Sequence, residues 1–516
     1  MRKASLEQDS AGSGLTRDTL VIIAATTLSN VLAIFRESLF ASKFGTGPVA
    51  DAYVIAFSAC SALFLLLSSG NVSFAFIPQI QRLRGNDEQN SYYSAILVAV
   101  GVVSLAVTLF VAINSELIIT ILAQGASAST QLLASRILRA ISPIILFAAL
   151  GSVFQAALNN ELFFVSPAII PALANIIFIA ILLLAKQLSL ESQIIYACVA
   201  SFSVWLVLII SVSKLYRPFK CKRLSLSLSY LKNFAYAMTP LLAITAIDQV
   251  VLLIQKFSLS YSGPGSISVI NYAYRLESIP VGLVAAAFST AVFPRLSNYS
   301  ANNDRQNLSG VFNYGFEAIL LIALPVTVLC IALARPAVEI LLMRGSFSSN
   351  DVDRVAISLA FYSIGILPQI LTVYFSRLIL STSSYMTLFK FAAVTSFVFI
   401  PLVMLLPRLI GEIGIPVATS INGFLYSFLL LRKGNAYVDI PYNHFRQLFI
   451  KAGSAALIVV ILFTLLSAAF PSPISIVLVS VLALTAYCFA VYKFVPLAYS
   501  RSALDKLLVK ISLIQK

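Results

Sequence analysis

Apolar runs of about 20 residues recur along the whole chain, and each is long enough to cross the hydrocarbon core of a bilayer as one helix. The 516 residues are 59% hydrophobic, with a mean hydropathy of +0.94, whereas a soluble domain is roughly 45–50% apolar. The sequence therefore predicts an all-α, polytopic membrane protein. Fourteen transmembrane helices are predicted near residues 19–35, 51–78, 92–113, 137–158, 162–185, 193–213, 233–256, 266–294, 314–333, 354–379, 386–407, 411–431, 451–470 and 473–497.

Side chains suited to catalysis or metal binding are sparse. The single histidine is His444, and the five cysteines are scattered without a Cys-x-x-Cys spacing. This pattern favours neither a disulfide framework nor a zinc site. We therefore expect a protein that is not an enzyme and that needs no cofactor or metal. The polar stretch Met1–Asp18 lacks the features of a cleavable signal, so the first helix should remain as an anchor.

Basic residues are distributed unevenly between the two sides of the predicted helices. The side that holds both termini carries 24 Lys and Arg residues, and the opposite side carries 8. The positive-inside rule therefore predicts that both termini are cytoplasmic. The densest basic patch, Lys214–Lys232, is interpreted as an orientation signal that also attracts anionic lipid headgroups. No nucleic-acid partner is expected, because no basic soluble domain accompanies the net charge of +15.

The two halves of the chain resemble each other at an offset of about 215 residues. The paired landmarks are, in order, SKFGTGPVADAY (42–53) with QKFSLSYSGPGSISVINYAY (255–274), Pro78 with Pro294, Gly125 with Gly345, and Pro143 with Pro368. Six spans separate the copies, so both halves enter the membrane in the same direction and form a parallel repeat. Repeats of this kind flank a central site whose access alternates, which favours transport.

The predicted organisation is therefore two six-helix lobes in parallel repeat plus a C-terminal helix pair. The predicted segments are a cytoplasmic N-terminal tail (1–18), an N-lobe (19–213), a basic cytoplasmic loop (214–232), a C-lobe (233–431), the terminal helix pair (432–498) and a cytoplasmic tail (499–516).

Arg275 lies nine residues into its predicted span, about 14 Å along the helix and close to the middle of a core roughly 30 Å thick. An arginine at that depth costs about 2.5–3.5 kcal/mol on insertion scales. Its side chain should therefore face a hydrated cavity or a charged partner. A structural pair with Asp248 on the preceding span is one interpretation, and a substrate site is the other.

Charged residues also cluster between the first two spans. Arg36 lies at the outer end of the first predicted helix, where a long side chain can snorkel to the interface. Asp51, at the start of the second, could cap that helix or pair with Arg36 or Lys43. The functional hypothesis is that Arg36 and Arg275 line one cavity between the halves. Guanidinium groups stay protonated and bind phosphate oxygens in a bidentate manner, which suits a diphosphate headgroup.

Four stretches together resemble the MurJ/MviN lipid II flippases of the multidrug/oligosaccharidyl-lipid/polysaccharide exporter superfamily. They are NVLAIFRESLFASKFGTGPVADAYVIAF (30–57), GNVSFAFIP (70–78), GSISVINYAYRLESIPVGLVAAAFSTAVFPRLS (265–297) and LLMRGSFSSND (341–351). The resemblance covers the first twelve spans, and the terminal pair fits the family's fourteen-helix form, in which the last two helices help to form a groove for the lipid tail.

This resemblance implies a two-lobed transporter of the bacterial cytoplasmic membrane. It would move an undecaprenyl-diphosphate-linked sugar from the inner to the outer leaflet. The family's cavity positions correspond to Arg36, Asp51 and Arg275, and Asp248 matches an acidic position common in the seventh helix. The implied partners are the lipid-linked glycan and membrane lipids, and a monomer is the expected oligomeric state.

The chain departs from the family pattern at three cationic positions. Asn30 stands where the family usually has an arginine, and Phe64 and Leu65 replace a paired arginine in the second helix. Asn30 is included among the predicted substrate-binding residues. The substrate could accordingly be lipid II or another polyprenyl-linked glycan, such as an exopolysaccharide repeat unit, or the chain could be a paralogue with a weakened site.

Two other functions are consistent with the same architecture. A cation-coupled antiporter for organic cations would use Asp51 and Asp248 as carboxylate sites and would have an acidic cavity. A non-transporting membrane partner that organises cell-envelope synthesis would tolerate charge reversal at Arg275. The arginines at positions 36 and 275 favour the flippase. The sequence leaves the energy coupling open.

Overall fold

The computed structural model describes residues 24–67, 69–83, 85–161, 163, 165–216, 227–382, 385–469, 473–494 and 498–499, and these residues form helices without any strand. The α-helices are α1 (24–44), α2 (Pro48–Leu66), α3 (Ser69–Ile80), α4 (Asn86–Ile113), α5 (Ser115–Leu122), α6 (Ala128–Ile141), α7 (Pro143–Asn160), α8 (Val165–Leu184), α9 (Leu190–Tyr216), α10 (Leu228–Leu259), α11 (Ser266–Ala301), α12 (Arg305–Ala332), α13 (Ala334–Leu342), α14 (Ser349–Ser363), α15 (Ile366–Ser381), α16 (Tyr385–Ile410), α17 (Gly414–Gly434), α18 (Tyr442–Ala469) and α19 (Pro473–Phe494).

The prediction of an all-α polytopic membrane protein is confirmed. Within the described residues, nine helical segments are long and apolar enough to cross a membrane, or ten when the bent pair α14 and α15 is counted as one span. One of them, Met386–Gly434, covers 49 residues, enough for two spans of about 20 residues each. The count of fourteen spans stays a prediction.

The chain divides into two compact units. The first contains Met1–Ser268 and Arg344–Ser348, and the second contains Val269–Met343 and Ser349–Lys516. Helix α10, assigned from the sequence to the C-lobe, belongs to the first unit, and the predicted lobe division stays a prediction. The predicted tail 1–18 and most of the tail 499–516 lie outside the described residues. Helix α9 continues to Tyr216 and α10 begins at Leu228, and residues 217–226 of the predicted basic loop lie outside the described residues.

Helix order repeats along the chain. Helices α4 to α9 contain 28, 8, 14, 18, 20 and 27 residues, and helices α12 to α17 contain 28, 9, 15, 16, 26 and 21. Each series therefore has a long helix, a very short helix and then a broken pair. The first break lies at Ser142, directly before Pro143, and the second bends by 42° before Pro368. The proline landmarks thus mark equivalent breaks.

The glycine landmarks Gly125 and Gly345 also occupy equivalent places, each against the end of a helix. The backbone N–H of Gly125 donates to Ser260 Oγ at 3.0 Å, and that of Ser346 donates to the Ser42 carbonyl at 2.7 Å. A Cβ on Gly125 would lie 2.6 Å from the Ser260 carbonyl oxygen. A Cβ on Gly345 would overlap the Ser42 carbonyl oxygen. Ser42 lies in the last turn of α1 and Ser260 caps α10, so both glycines permit a backbone approach that a side chain would block.

The second unit has an aromatic core beneath α18. The ring centres of Phe316 in α12 and Phe445 in α18 lie 4.2 Å apart. The Tyr374 hydroxyl donates to the Phe312 carbonyl at 2.8 Å. In lipid such close packing, rather than burial from water, stabilises helix association.

One charged side chain, that of Glu317, is completely buried in this unit. His444 Nε2 lies 2.9 Å from one of its carboxylate oxygens. The backbone N–H groups of Ala498 and Tyr499 donate to the same carboxylate at 3.3 Å. Glu317 therefore ties the start of α18 and the segment after α19 to α12.

Candidate functional site

Arg36 lies inside α1 and not at its end. The helix continues to residue 44, further than the predicted limit of 35, so the expected position at a helix terminus was wrong. Arg36 Nη1 donates to Asn175 Oδ1 at 3.1 Å, and Nη2 donates to Glu37 Oε1 at 3.0 Å. The guanidinium carbon also lies 5.2 Å from the centre of the Phe178 ring. These contacts hold the Arg36 side chain, which is 24% exposed, in one orientation.

Arg36 lines a cavity of about 210 Å³ inside the first unit, which we call the Arg36 pocket. Its walls come from α1, α2, α8 and α9, and they include Tyr53, Asn175, Phe178 and Trp205. Ligand cavities usually measure about 300–1,000 Å³. This pocket is therefore large enough for one group of a ligand, such as a diphosphate or a single ring, and too small for a whole glycolipid.

The apolar wall of the pocket depends on a glycine in α7. Trp205 packs against Gly151, where a Cβ would overlap the indole ring. Cys198, also on α9, lines the same pocket, and its Sγ lies 3.9 Å from the Tyr53 hydroxyl oxygen. The close approach of α7 and α9 at Gly151 thus fixes the indole of the only tryptophan in the chain beside the Arg36 pocket.

A guanidinium carries five N–H donors in a planar fork. Within the residues that the structure describes, two hydrogen bonds to Asn175 and Glu37 hold the Arg36 group. Further N–H donors are thus available to acceptor oxygens in the pocket. A phosphate group fits this pattern, because its oxygens match the fork and its negative charge matches the cation.

Asp51 is buried and caps a helix that begins more than 200 residues later in the chain. Its Oδ2 accepts from the backbone N–H of Gly265 at 2.6 Å, and its Oδ1 accepts from the backbone N–H and the hydroxyl of Ser268, both at 2.8 Å. Asp51 therefore caps the N-terminus of α11 rather than that of its own helix. Lys43, the other predicted partner, donates to the Leu182 carbonyl and, at 2.7 Å, to Gln193 Oε1.

Arg275 is the tenth residue of α11, the helix that Asp51 caps, and its side chain is exposed. The neighbouring Tyr274 is also exposed, whereas Glu277 is 1% exposed. Two residues correspond to roughly 200° around a helix, so Arg275 and Glu277 lie on opposite faces of α11. Arg36 belongs to the first unit and Arg275 to the second, and their convergence on one cavity stays a prediction.

The remaining predicted site residues, Asp248 and Asn30, are both exposed. Asp248 lies in the apolar segment Leu241–Leu259 of α10. Asn30 is six residues before Arg36 on α1, which places it roughly 120° around the helix from Arg36. Asn30 therefore lies on a different face of α1. The predicted pairing of Asp248 with Arg275, which belongs to the second unit, stays a prediction.

Sequence reasoning missed Asn175 and Trp205 as parts of the Arg36 pocket. Asn175 is a polar residue inside the apolar span 162–185, and Trp205 is the only tryptophan in the chain. Both were visible as exceptions to the local composition. Their proximity to Arg36 could not be predicted from the sequence, because 139 residues separate Arg36 from Asn175.

Comparisons with known proteins are consistent over most of the chain. The family model described as lipid II flippase MurJ matches residues 40–496. A lipid II flippase MurJ from Burkholderia cenocepacia is 28% identical over 470 residues, which cover 86% of this chain and 88% of that protein. A probable lipid II flippase MurJ from Vibrio cholerae is 25% identical over 436 residues, which cover 81% and 82% of the two chains.

Solved structures give the same result. A lipid II flippase MurJ in an inward closed conformation superposes with a TM-score of 0.82 at 25% identity, covering 94% of this chain and all of that one. An inward-facing multidrug resistance transporter of the MATE family superposes with a TM-score of 0.68 at 14% identity, covering 81% and 97%. The second likeness extends to the fold alone.

Proposed function

Because the chain belongs to the lipid II flippase MurJ family, we propose that it moves a polyprenyl-diphosphate-linked glycan, in the first instance lipid II, from the cytoplasmic to the periplasmic leaflet. It is a membrane transporter that works by alternating access and supplies peptidoglycan synthesis. In this proposal the chain is a monomer in the bacterial cytoplasmic membrane, with both termini in the cytoplasm.

The observation that carries the proposal is the Arg36 pocket. A permanently charged guanidinium, held by Asn175 and Glu37, lines a cavity whose other residues are mostly apolar. A diphosphate is the part of the substrate that most needs a fixed cation when it leaves water. Arg36 is therefore proposed to bind diphosphate oxygens, while the aromatic wall contacts the first isoprene or sugar unit.

Arg275 is proposed as the second cation for the diphosphate. Its helix, α11, begins at the backbone N–H groups of Gly265 and Ser268 that donate to the Asp51 carboxylate. In this proposal Asp51 acts through α11. Asp248 and Asn30 are proposed to contact the polar part of the substrate along its path, because both side chains are exposed. An organic-cation antiporter is not favoured, since the charged side chain that lines the pocket is a cation, Arg36, with Glu37 as its ion-pair partner.

The test is complementation of a strain depleted of its lipid II flippase. Arg36→Ala and Arg275→Ala should each abolish growth while membrane levels of the protein stay normal. Arg36→Lys should restore little, because an ammonium cannot reproduce the bidentate fork. Full growth with both alanine variants would overturn the site assignment.

Two exposed arginines serve as matched controls. Arg139 pairs with Glu116 at 3.1 Å in the first unit, and Arg305 pairs with Asp439 at 2.8 Å in the second. Both are more than half exposed, and alanine at either position should leave complementation intact.

A second host separates the two substrate classes. Rescue of an exopolysaccharide flippase mutant, together with failure to rescue the lipid II flippase strain, would assign the related glycan. Rescue of neither strain by a wild-type chain that reaches the membrane would favour the non-transporting partner.

A further inference from the structure

Glu277 is a buried carboxyl group for which the flippase mechanism described above has no use. It lies in α11 within the second unit and is 1% exposed. Gln369 Nε2 of α15 donates to its Oε1 at 2.7 Å. Its Oε2 is buried and has no hydrogen-bond partner among the residues that the structure describes. Among the described residues, Oε1 therefore accepts a hydrogen bond and Oε2 accepts none.

The surroundings of Glu277 are the break between α14 and α15, where the two helices bend by 42°. Gly365 lies in this break, and its N–H donates to the Tyr362 carbonyl at 2.8 Å. A Cβ on Gly365 would lie 3.0 Å from Ser420 Oγ and 3.1 Å from Gln369 Nε2. The polar groups thus converge closely at the break. Broken helices in transporters are places where coupling ions and protons bind.

Among the residues that the structure describes, Tyr362 of α14 and Cys330 of α12 are titratable groups close enough to interact electrostatically with the Glu277 carboxylate. Helices α15 and α17 contribute the uncharged Gln369 and Ser420. On its own helix, Arg275 lies on the opposite face. Neither tyrosine nor cysteine supplies positive charge, so these neighbours do not compensate an ionised Glu277.

An ionised carboxylate without a compensating charge or a second hydrogen bond is costly in a low-dielectric interior. Binding a proton at Oε2 removes the charge and keeps the hydrogen bond from Gln369. If the break opens to water, the same group loses its proton to a water molecule and is stabilised by hydration. The two states of the break thus differ in their affinity for a proton.

We propose that Glu277 is a proton-binding site at the α14–α15 break, and that its protonation state changes with the conformation of the transporter. In the closed state the carboxyl group holds the proton, and in the hydrated state it releases the proton to water. Helix α11 carries Glu277 on one face and Arg275 on the other, so a movement of this helix affects both. The link to transport rests on the proposed flippase function, whereas the proton site does not.

Infrared difference spectroscopy of the purified full-length protein tests the proton site directly. Stepping the pH should change the carbonyl-stretch band of a protonated carboxylic acid in the wild type, and Glu277→Gln should remove that change. Glu412→Gln is the matched control, because it removes a carboxyl group whose two oxygens both accept from Arg354, at 3.0 and 2.5 Å, and it should leave the change intact. Glu277→Asp keeps a carboxyl group and should give a band at a shifted frequency. Identical spectra for wild type and Glu277→Gln would overturn the proposal.

A flipping assay in liposomes tests the coupling separately. With a fluorescent polyprenyl-diphosphate glycan as probe, a pH gradient should change the wild-type flipping rate severalfold, and the ratio of rates with and without the gradient should fall to unity in Glu277→Gln. A wild-type rate that ignores the gradient would overturn the coupling. A wild type that does not flip the probe would count against the proposed function, and the infrared result would still decide the proton site.

Discussion

The carboxylate of Asp51 caps α11 through Ser268, whose backbone N–H and hydroxyl both donate to Oδ1 at 2.8 Å. The two residues are 217 positions apart in the chain. A helix N-terminus leaves several N–H groups without intrahelical partners, and a buried carboxylate is a strong acceptor for them. The helix that carries Arg275 and Glu277 therefore begins at a fixed point.

Removing this cap should destabilise the protein. Asp51→Ala leaves the buried N–H groups of Gly265 and Ser268 without their acceptor, which we expect to cost about 1–3 kcal/mol. Asp51→Asn keeps one acceptor oxygen and should cost less. Thermal unfolding in detergent measures both, and an unchanged transition for Asp51→Ala would contradict the capping role.

The two equivalent glycines should not tolerate a methyl group. Gly125→Ala places a Cβ 2.6 Å from a backbone oxygen, and Gly345→Ala adds the strain of a φ of +57°. Both variants should lose stability and complementation because backbone atoms must move. Gly310→Ala in α12 is the control, since nothing lies within 4 Å of its Cβ. That variant should be neutral or slightly stabilising, because alanine favours helices more than glycine. Normal function of Gly345→Ala would contradict the proposed close approach.

Tryptophan fluorescence should report binding in the Arg36 pocket, because Trp205 is the only tryptophan. A water-soluble short-chain prenyl diphosphate should change its emission in a saturable manner. Arg36→Ala should weaken this binding about tenfold or more, since a hydrogen bond to a charged group contributes about 1.5–3 kcal/mol. Arg139→Ala should bind as the wild type does. A saturable signal of equal affinity in Arg36→Ala would show that the diphosphate does not contact Arg36.

The cap of α12 should depend on pH. Asp304 accepts from the backbone N–H and the side-chain amide of Asn307, at 3.1 and 2.6 Å, and these hydrogen bonds lower the pKa of Asp304. A carboxyl group whose pKa is lower in the folded than in the unfolded state stabilises the folded state at pH values above its unfolded pKa of about 4. That contribution is lost as the pH falls through the lowered value. Asp304→Asn should flatten the acid limb of the stability profile, and an identical profile would contradict the prediction.

The helical part of the fold was predictable because it depends on local composition. The span 92–113 lies within α4, and the span 314–333 ends one residue beyond α12, since a run of apolar residues in lipid must satisfy its own backbone. Pro143 and Pro368, recognised in the sequence as repeat landmarks, each lie just after a break, because proline removes a helix hydrogen bond.

The candidate site was predictable only in part. Arg36 and Arg275 were singled out because charge is rare within apolar runs, and their convergence on one site stays a prediction. The Asp51 cap was not found, since its partners Gly265 and Ser268 are remote in sequence and carry no signal of their own. Glu277 was passed over because two residues separate it from Arg275, and burial on the far face of a helix depends on what packs there.

The attachment of Ala498 and Tyr499 to Glu317 bears on how variants of this protein should be made. A truncation before Ala498 would leave the Glu317 carboxylate with His444 but without two backbone donors. Fluorescent fusions and affinity tags should therefore follow Lys516 and should not replace the final segment, because a shortened version would confound loss of transport with loss of this anchor.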